Sequence, residues 1–206
     1  MLTSMNSTDE ALERLREGNR RYAEGAPLRS TVIDAGRRRE LAASQAPYAV
    51  ILGCSDSRVP AEIVFDCGLG ELFVVRVAGN IAAPSQVASV EYAVEHLGTR
   101  LVIVLGHSGC GAVMAAVEAT RSPATQGNNL SPVIDRISAV LEGLLEAGDG
   151  GGEELLARAV RANVSASAQE LLSSSELLAA RAQAGELVVV RAEYELESGR
   201  VEFLET

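Results

Sequence analysis

Lysine is missing from this chain of 206 residues, and all eighteen basic side chains are arginine. That excludes a Schiff-base lysine and a phosphate loop of the lysine-dependent Walker type. Tryptophan is also missing, and three Phe and four Tyr leave the core to Val, Leu, Ile and Ala. Basic residues are outnumbered 18 to 28 by acidic ones, for a formal net charge of −10. Such a balance argues against nucleic-acid binding, which needs a basic footprint, and against docking on anionic lipid. Three cysteines, an odd number, are too few for a disulfide framework. No apolar run approaches the roughly 18 residues of a membrane helix. The opening MLTSMNSTDEALERLREGNRRY has no apolar segment of the secretory type. These absences read together as a cytoplasmic, reducing environment, where cysteines serve metal or catalysis more often than disulfides.

What is present is an ordinary globular composition, 47% apolar and 22% charged, of a length that suits one domain. Residues 8–25 read as a helix, capped by Thr8 or Asp9 and stopped by Gly25 and Pro27. Residues 34–44 read as a second, arginine-rich helix. Three apolar runs follow, YAVILG (48–53), ELFVVRVA (71–78) and RLVIVLG (100–106), of the kind found in strands covered on both faces. Between the last two, residues 85–97 carry Val87, Val90, Val94 and Leu97 at helical spacing, ended by Gly98. This is a βαβ unit with a right-handed crossover. GHSGCG then turns into a helix. A loop at 121–129, helices at 131–147 and 153–172 around a Gly-rich break (148–152), a shorter helix at 175–184 and a hairpin turning at Ser198–Gly199 complete the chain. The expected fold is α/β: a mostly parallel central sheet flanked by helices, with an N-terminal helical arm and a C-terminal edge hairpin.

The first apolar run ends in GCSDSRVP and the third in GHSGCG. In a parallel sheet both ends lie at the same edge, where open α/β proteins build their sites. Cys54, His107 and Cys110 therefore converge although distant in sequence. Two thiolates and an imidazole suit zinc and leave a fourth position open. The plainer reading makes each a buried filler. Asp56 and Arg58 weigh against it: a structural zinc site has no use for a carboxylate and a guanidinium beside its first ligand, and a catalytic one does.

GCSDSRVPAEIVFDCGLGELFVVRVAGN (53–80), SVEYAVEHLG (89–98) and VLGHSGCGAV (104–113) resemble the β-class carbonic anhydrases of bacteria and plants, closely over 10–120 and more loosely beyond. The resemblance implies one zinc per chain on Cys54, His107 and Cys110, and reversible hydration of carbon dioxide to bicarbonate by zinc-bound hydroxide. Asp56, held ionised by a bidentate Arg58, would orient that hydroxide. In a closed resting form Asp56 itself becomes the fourth ligand, and activity then rises with pH. The resemblance also implies a substrate cleft lined by Gln45, Phe73, Ala78, Tyr92 and Gly111, with the glutamine and aromatics supplied across a homodimer or a dimer-based tetramer. His96 matches a position considered for proton shuttling; the alternative is a polar tip at a helix end. On this reading the chain is a single domain, with an N-terminal arm (1–45), a zinc-site core (46–120) and C-terminal helices with an edge hairpin (121–206).

Departures from the family pattern carry their own expectations. Cys67 stands where relatives often have Gln and is read as a spare thiol. Ile51 replaces the Trp of a bicarbonate-regulated branch, which leaves Arg76 without its partner and predicts no such inhibition. Arg191-Ala192-Glu193 replaces the usual Gly-Ala before the last tyrosine and puts the edge strand or an assembly contact in question. Two other activities use the same fold: hydrolysis of carbonyl sulfide or carbon disulfide, and non-catalytic binding of zinc or bicarbonate. A fourth reading makes GHSGCGA a metal-free anion cradle at a helix start.

Overall fold

The computed structural model describes residues 8–28, 35–121, 129–146 and 152–204. Most of the 121–129 loop, Asp34 and most of the Gly-rich break lie outside the described residues. Five strands form one sheet: β1 (Ala49–Cys54), β2 (Leu72–Val77), β3 (Leu101–His107), β4 (Val188–Tyr194) and β5 (Val201–Leu204). Their order is β2-β1-β3-β4-β5, with the first four parallel and β5 antiparallel to β4. Every residue of β1 and β3 is buried, which is why these segments read as unbroken apolar runs.

Alternate residues feed two cores. Ile51, Ile103 and Leu105 meet Leu15 and Phe65 on one face; Leu52, Val102 and Val104 meet Val90, Val164 and Leu171 on the other. The helices are α1 (Thr8–Ala23), α2 (Ala35–Leu41), α3 (Ala61–Val64), α4 (Pro84–His96), α5 (Gly111–Arg121), α6 (Ser131–Glu146), α7 (Gly152–Ser173) and α8 (Glu176–Gln183). The single turn of α3 and a 3₁₀ turn at Ala78–Asn80 have no periodic signal in the sequence, being too short to carry one. Among the described residues no helix is long and apolar enough to cross a membrane.

The N-terminal helix is tied to its own chain. Gly18 lies so close to the Phe65 carbonyl that an added Cβ would sit 2.0 Å from its oxygen. The buried Asn19 side chain donates to the carbonyls of Val64 (3.1 Å) and Gly199 (2.9 Å) and accepts from the Val201 N–H (2.7 Å). The hairpin closes over a wider turn than its two central residues suggest, with Glu195 N–H bonded to the Arg200 carbonyl at 2.8 Å and Gly199 at φ 73°. The Arg191-Ala192-Glu193 departure leaves the sheet intact: β4 pairs with β3 along its length and with β5 from Arg191 to Tyr194. Glu193 is held by Arg161 at 2.7 Å, which also reaches Glu202 at 2.6 Å, and Arg191 donates to Ser165 Oγ at 3.2 Å.

Because β2 lies on one side of β1 and β3 on the other, the order in which strands are added across the sheet reverses between β1 and β3. Open α/β sheets bind at such a switch point, outside the carboxyl ends of the strands.

Candidate metal centre

Cys54 is the last residue of β1 and His107 the last of β3. A turn through Gly109 (φ 62°) places Cys110 immediately before α5. All three are buried, and their donor atoms lie within 4.8 Å of one another. The two sulfurs are 4.0 Å apart, about twice a disulfide bond. That separation is close to the roughly 3.8 Å that two zinc–sulfur bonds of about 2.3 Å span at a tetrahedral angle.

The histidine tautomer fits a ligand. Nδ1–H donates to the Ser108 carbonyl at 2.9 Å, leaving the Nε2 lone pair free. Nε2 is buried and has no hydrogen-bond partner. An orphaned acceptor of this kind is costly unless something else occupies it, and fixing Nδ1 on a carbonyl is how ligating histidines are oriented. The sulfurs are prepared as well. The Cys54 thiol is held well below its usual range, first by the hydrogen bond from Cys110 and then by backbone N–H groups including Gly79. Cys110, as donor of that bond, is pushed up, while N–H groups of Ala112 and Val113 at the start of α5 favour its thiolate.

Asp56 lies beside these donors and outside their group. Arg58 grips it with Nε on Oδ1 (2.9 Å) and a terminal nitrogen on Oδ2 (2.7 Å), and its backbone N–H adds a third bond at 2.9 Å. This grip keeps Asp56 well below the normal carboxylate range. Oδ2 is 3.9 Å from His107 Nε2, so the ionised oxygen stands beside the donor group. The structure thus has the Asp56 carboxylate on the Arg58 guanidinium.

Arg76 has a role that the sequence did not reveal. From β2 it donates to the carbonyls of Cys54 (3.0 Å) and Asp56 (2.6 Å), pinning the turn between first ligand and carboxylate. Gly79 was equally invisible as a site residue. It sits at φ 68°, its N–H donates to Cys54 Sγ at 3.3 Å, and a Cβ there would lie 2.6 Å from Ile137. The available signals were an arginine inside an apolar strand and a glycine just past its end.

Of the other expected residues, Gln45, Phe73, Tyr92 and His96 stand away from this centre within one chain. Phe73 pairs with Val50, four residues below the Cys54–Val77 pair, or about 13 Å along the strand. It stacks near Tyr92 (6.2 Å), which neighbours His96 (5.0 Å), on the far end of α4. Gln45 is exposed in the segment leading into β1. Ala78 and Gly111 adjoin the donors, at the 3₁₀ turn and the start of α5. Cys67 is apart, bonded to the Tyr48 hydroxyl (3.0 Å) and the Phe65 carbonyl (3.3 Å).

The loop beyond His107 is itself anchored. Ser108 Oγ donates to Glu195 (3.2 Å) and accepts from the Leu196 N–H (3.0 Å). N–H groups of Glu197 and Ser198 lower the Glu195 pKa from the ordinary 4.5 to about 2. A depressed acid stabilises the fold above its unfolded value, and the gain disappears as pH falls through its folded value. Thermal melts of Glu195→Gln against wild type should therefore differ at neutral pH, with the gap closing between pH 4.5 and about 2. A gap independent of pH would refute the carboxylate's part.

Cys54, His107 and Cys110 form a buried group that could hold a metal ion, with the Asp56–Arg58 pair beside it. The sequence model of the carbonic anhydrase family matches residues 49–201. Carbonic anhydrase 2 of Mycobacterium tuberculosis is 40% identical over 193 residues, covering 92% of this chain and 89% of that one. The carbonic anhydrase of Mycolicibacterium smegmatis is 38% identical, covering 93% and 91%. Among solved structures, tetrameric β-carbonic anhydrases of Sordaria macrospora superpose with a TM-score of 0.73 at 26% identity, covering 98% of both chains. The Coccomyxa β-carbonic anhydrase in complex with acetazolamide does so with 0.74 at 28%, covering 94% and 86%. The chain belongs to the carbonic anhydrase family, in its β class. It is accordingly a lyase of carbon dioxide hydration with zinc as its cofactor.

Proposed function

We propose that Cys54, His107 and Cys110 hold the zinc and that Asp56 and Arg58 direct the reaction of water with carbon dioxide. When bound, the metal supplies Lewis acidity and lowers the pKa of water toward neutrality. The protein's own residues then do the positioning. Asp56 accepts the hydrogen bond of the attacking oxygen and turns its remaining lone pair toward the substrate carbon. Arg58 keeps Asp56 ionised, so the carboxylate accepts and does not donate. Arg76 holds the backbone of both Cys54 and Asp56, so ligand and acceptor keep one relative position.

Ala78 and the Gly111 N–H border the substrate from the same chain. Gln45, Phe73 and Tyr92 lie at the other end of the strands and serve the centre of a second copy across a homodimer, or a tetramer of dimers. That reading is supported by the distance separating them from their own donors and by the tetrameric relatives. His96, exposed beside Tyr92, is the candidate for passing the released proton to buffer, the alternative being a polar tip at the end of α4.

The observation carrying this proposal is the buried, partnerless His107 Nε2 facing two sulfurs, with Asp56 clamped alongside. Stopped-flow carbon dioxide hydration with metal analysis tests it. About one zinc per chain is expected, with activity falling to background on chelation and returning on adding zinc. A metal-free chain, or one inert with zinc bound, would overturn it.

A further inference from the structure

α7 presents an amide where its neighbours are apolar. Asn163 is 2% exposed and lies between Val160 and Val164, whose methyl groups close on Gly106 of β3. Burying an amide is unfavourable unless it is hydrogen-bonded. Asn163 Nδ2 donates to the Gly79 carbonyl at 2.7 Å. Gly79 in turn donates its N–H to Cys54 Sγ at 3.3 Å. Gly79 (φ 68°) and Asn80 (φ 45°) are consecutive left-handed residues, a conformation that needs outside support when one of them carries a side chain. Ile137 and Ala112 leave no room for a Cβ on Gly79, so the backbone approaches the sulfur directly.

We infer that Asn163 is a positioning residue for the metal centre: by holding the Gly79 carbonyl it aims the Gly79 N–H at the Cys54 sulfur. This rests on the reading of Cys54 as a zinc ligand. An N–H bond to a metal thiolate draws electron density from the sulfur. The metal then receives less charge from its ligand and remains a stronger Lewis acid, which matters where two thiolates already neutralise a divalent ion. Partners of this kind, one step removed from the ion, typically change metal affinity or activity by about 10–100-fold when lost. A buried asparagine that merely satisfied a carbonyl would affect stability alone.

The test uses Asn163→Leu, of similar size and without a donor, and the milder Asn163→Ser. Val164→Ala, the adjacent packing residue, is the control for lost stability. Each protein is loaded with cobalt(II) for absorption spectroscopy, and zinc affinity is measured by competition with a chromophoric chelator. Both Asn163 variants should shift the thiolate-to-cobalt charge-transfer band to longer wavelength and weaken zinc binding about tenfold or more. Val164→Ala should lower Tm with band and affinity unchanged. Band and affinity equal to wild type in folded Asn163 variants would overturn the inference.

Wild-type protein loaded with cadmium-113 supplies an arm that needs no variant: the Gly79 amide proton should show scalar coupling to the metal, and a resolved amide without it overturns the inference. A wild-type protein that binds cobalt without a thiolate band contradicts the ligand set itself. A normal wild-type band with silent variants contradicts only the role of Asn163.

Discussion

Asp56→Asn should lower carbon dioxide hydration by about a hundredfold to ten-thousandfold, the range typical of a positioned acid–base group, with zinc content unchanged. The amide is nearly the same size, but it accepts through one oxygen only, and its NH2 faces either Arg58 or the reacting oxygen. Both orientations fail. In the first, a donor meets the guanidinium that now bonds both carboxylate oxygens. In the second, the attacking oxygen is offered a donor where it needs an acceptor. The zinc should stay because Asp56 is outside the three-donor group. Stopped-flow rates and metal analysis on one preparation decide the matter. Full activity would remove Asp56 from the mechanism, and loss of zinc would make it a ligand.

Cys110→Ser should abolish stable zinc binding and bring activity to background. Cys110 is 1% exposed, within a cluster that includes Ile81, Val113, Ile137 and Leu141. Serine offers a hydroxyl that does not ionise there, so the set keeps one thiolate and one imidazole, too few for a closed grip on zinc. Since metal binding to the folded chain alone adds to its stability, Tm should fall as well and no longer respond to added zinc. Cys67→Ser is the contrasting case. Cys67 bonds to Tyr48 and Phe65 and lies outside the donor group, so zinc content and turnover should match wild type. The idea fails if Cys110→Ser retains a full complement of tightly held zinc.

The parts of the site legible in the sequence were those where residue type and position along a strand carry the chemistry. Cys54 and His107 close apolar runs, and Cys110 follows His107 by three residues, so the parallel arrangement brings them to one edge. Arg58 sits two residues from Asp56, a spacing that lets the side chain turn back on the carboxylate. Arg76, Gly79 and Asn163 were not legible as a supporting shell. Their contacts run through backbone carbonyls and N–H groups, which leave no mark on residue type. Asn163 in particular lies far along the chain from the ligands it supports, on a helix whose Ala- and Ser-rich sequence shows only amphipathic spacing.

The sequence by itself determined the class of fold and the family, because continuous apolar runs demand burial on both faces and because the paired motifs that end the first and third runs are specific. Only the tertiary structure decided that β1 and β3 flank the switch point, that Asp56 rests on Arg58, that His107 leaves Nε2 free, and that Phe73 and Tyr92 stand away from their own chain's centre. Those outcomes depend on strand order, register and hydrogen-bond direction. Such properties arise when distant segments pack together, and no local pattern encodes them.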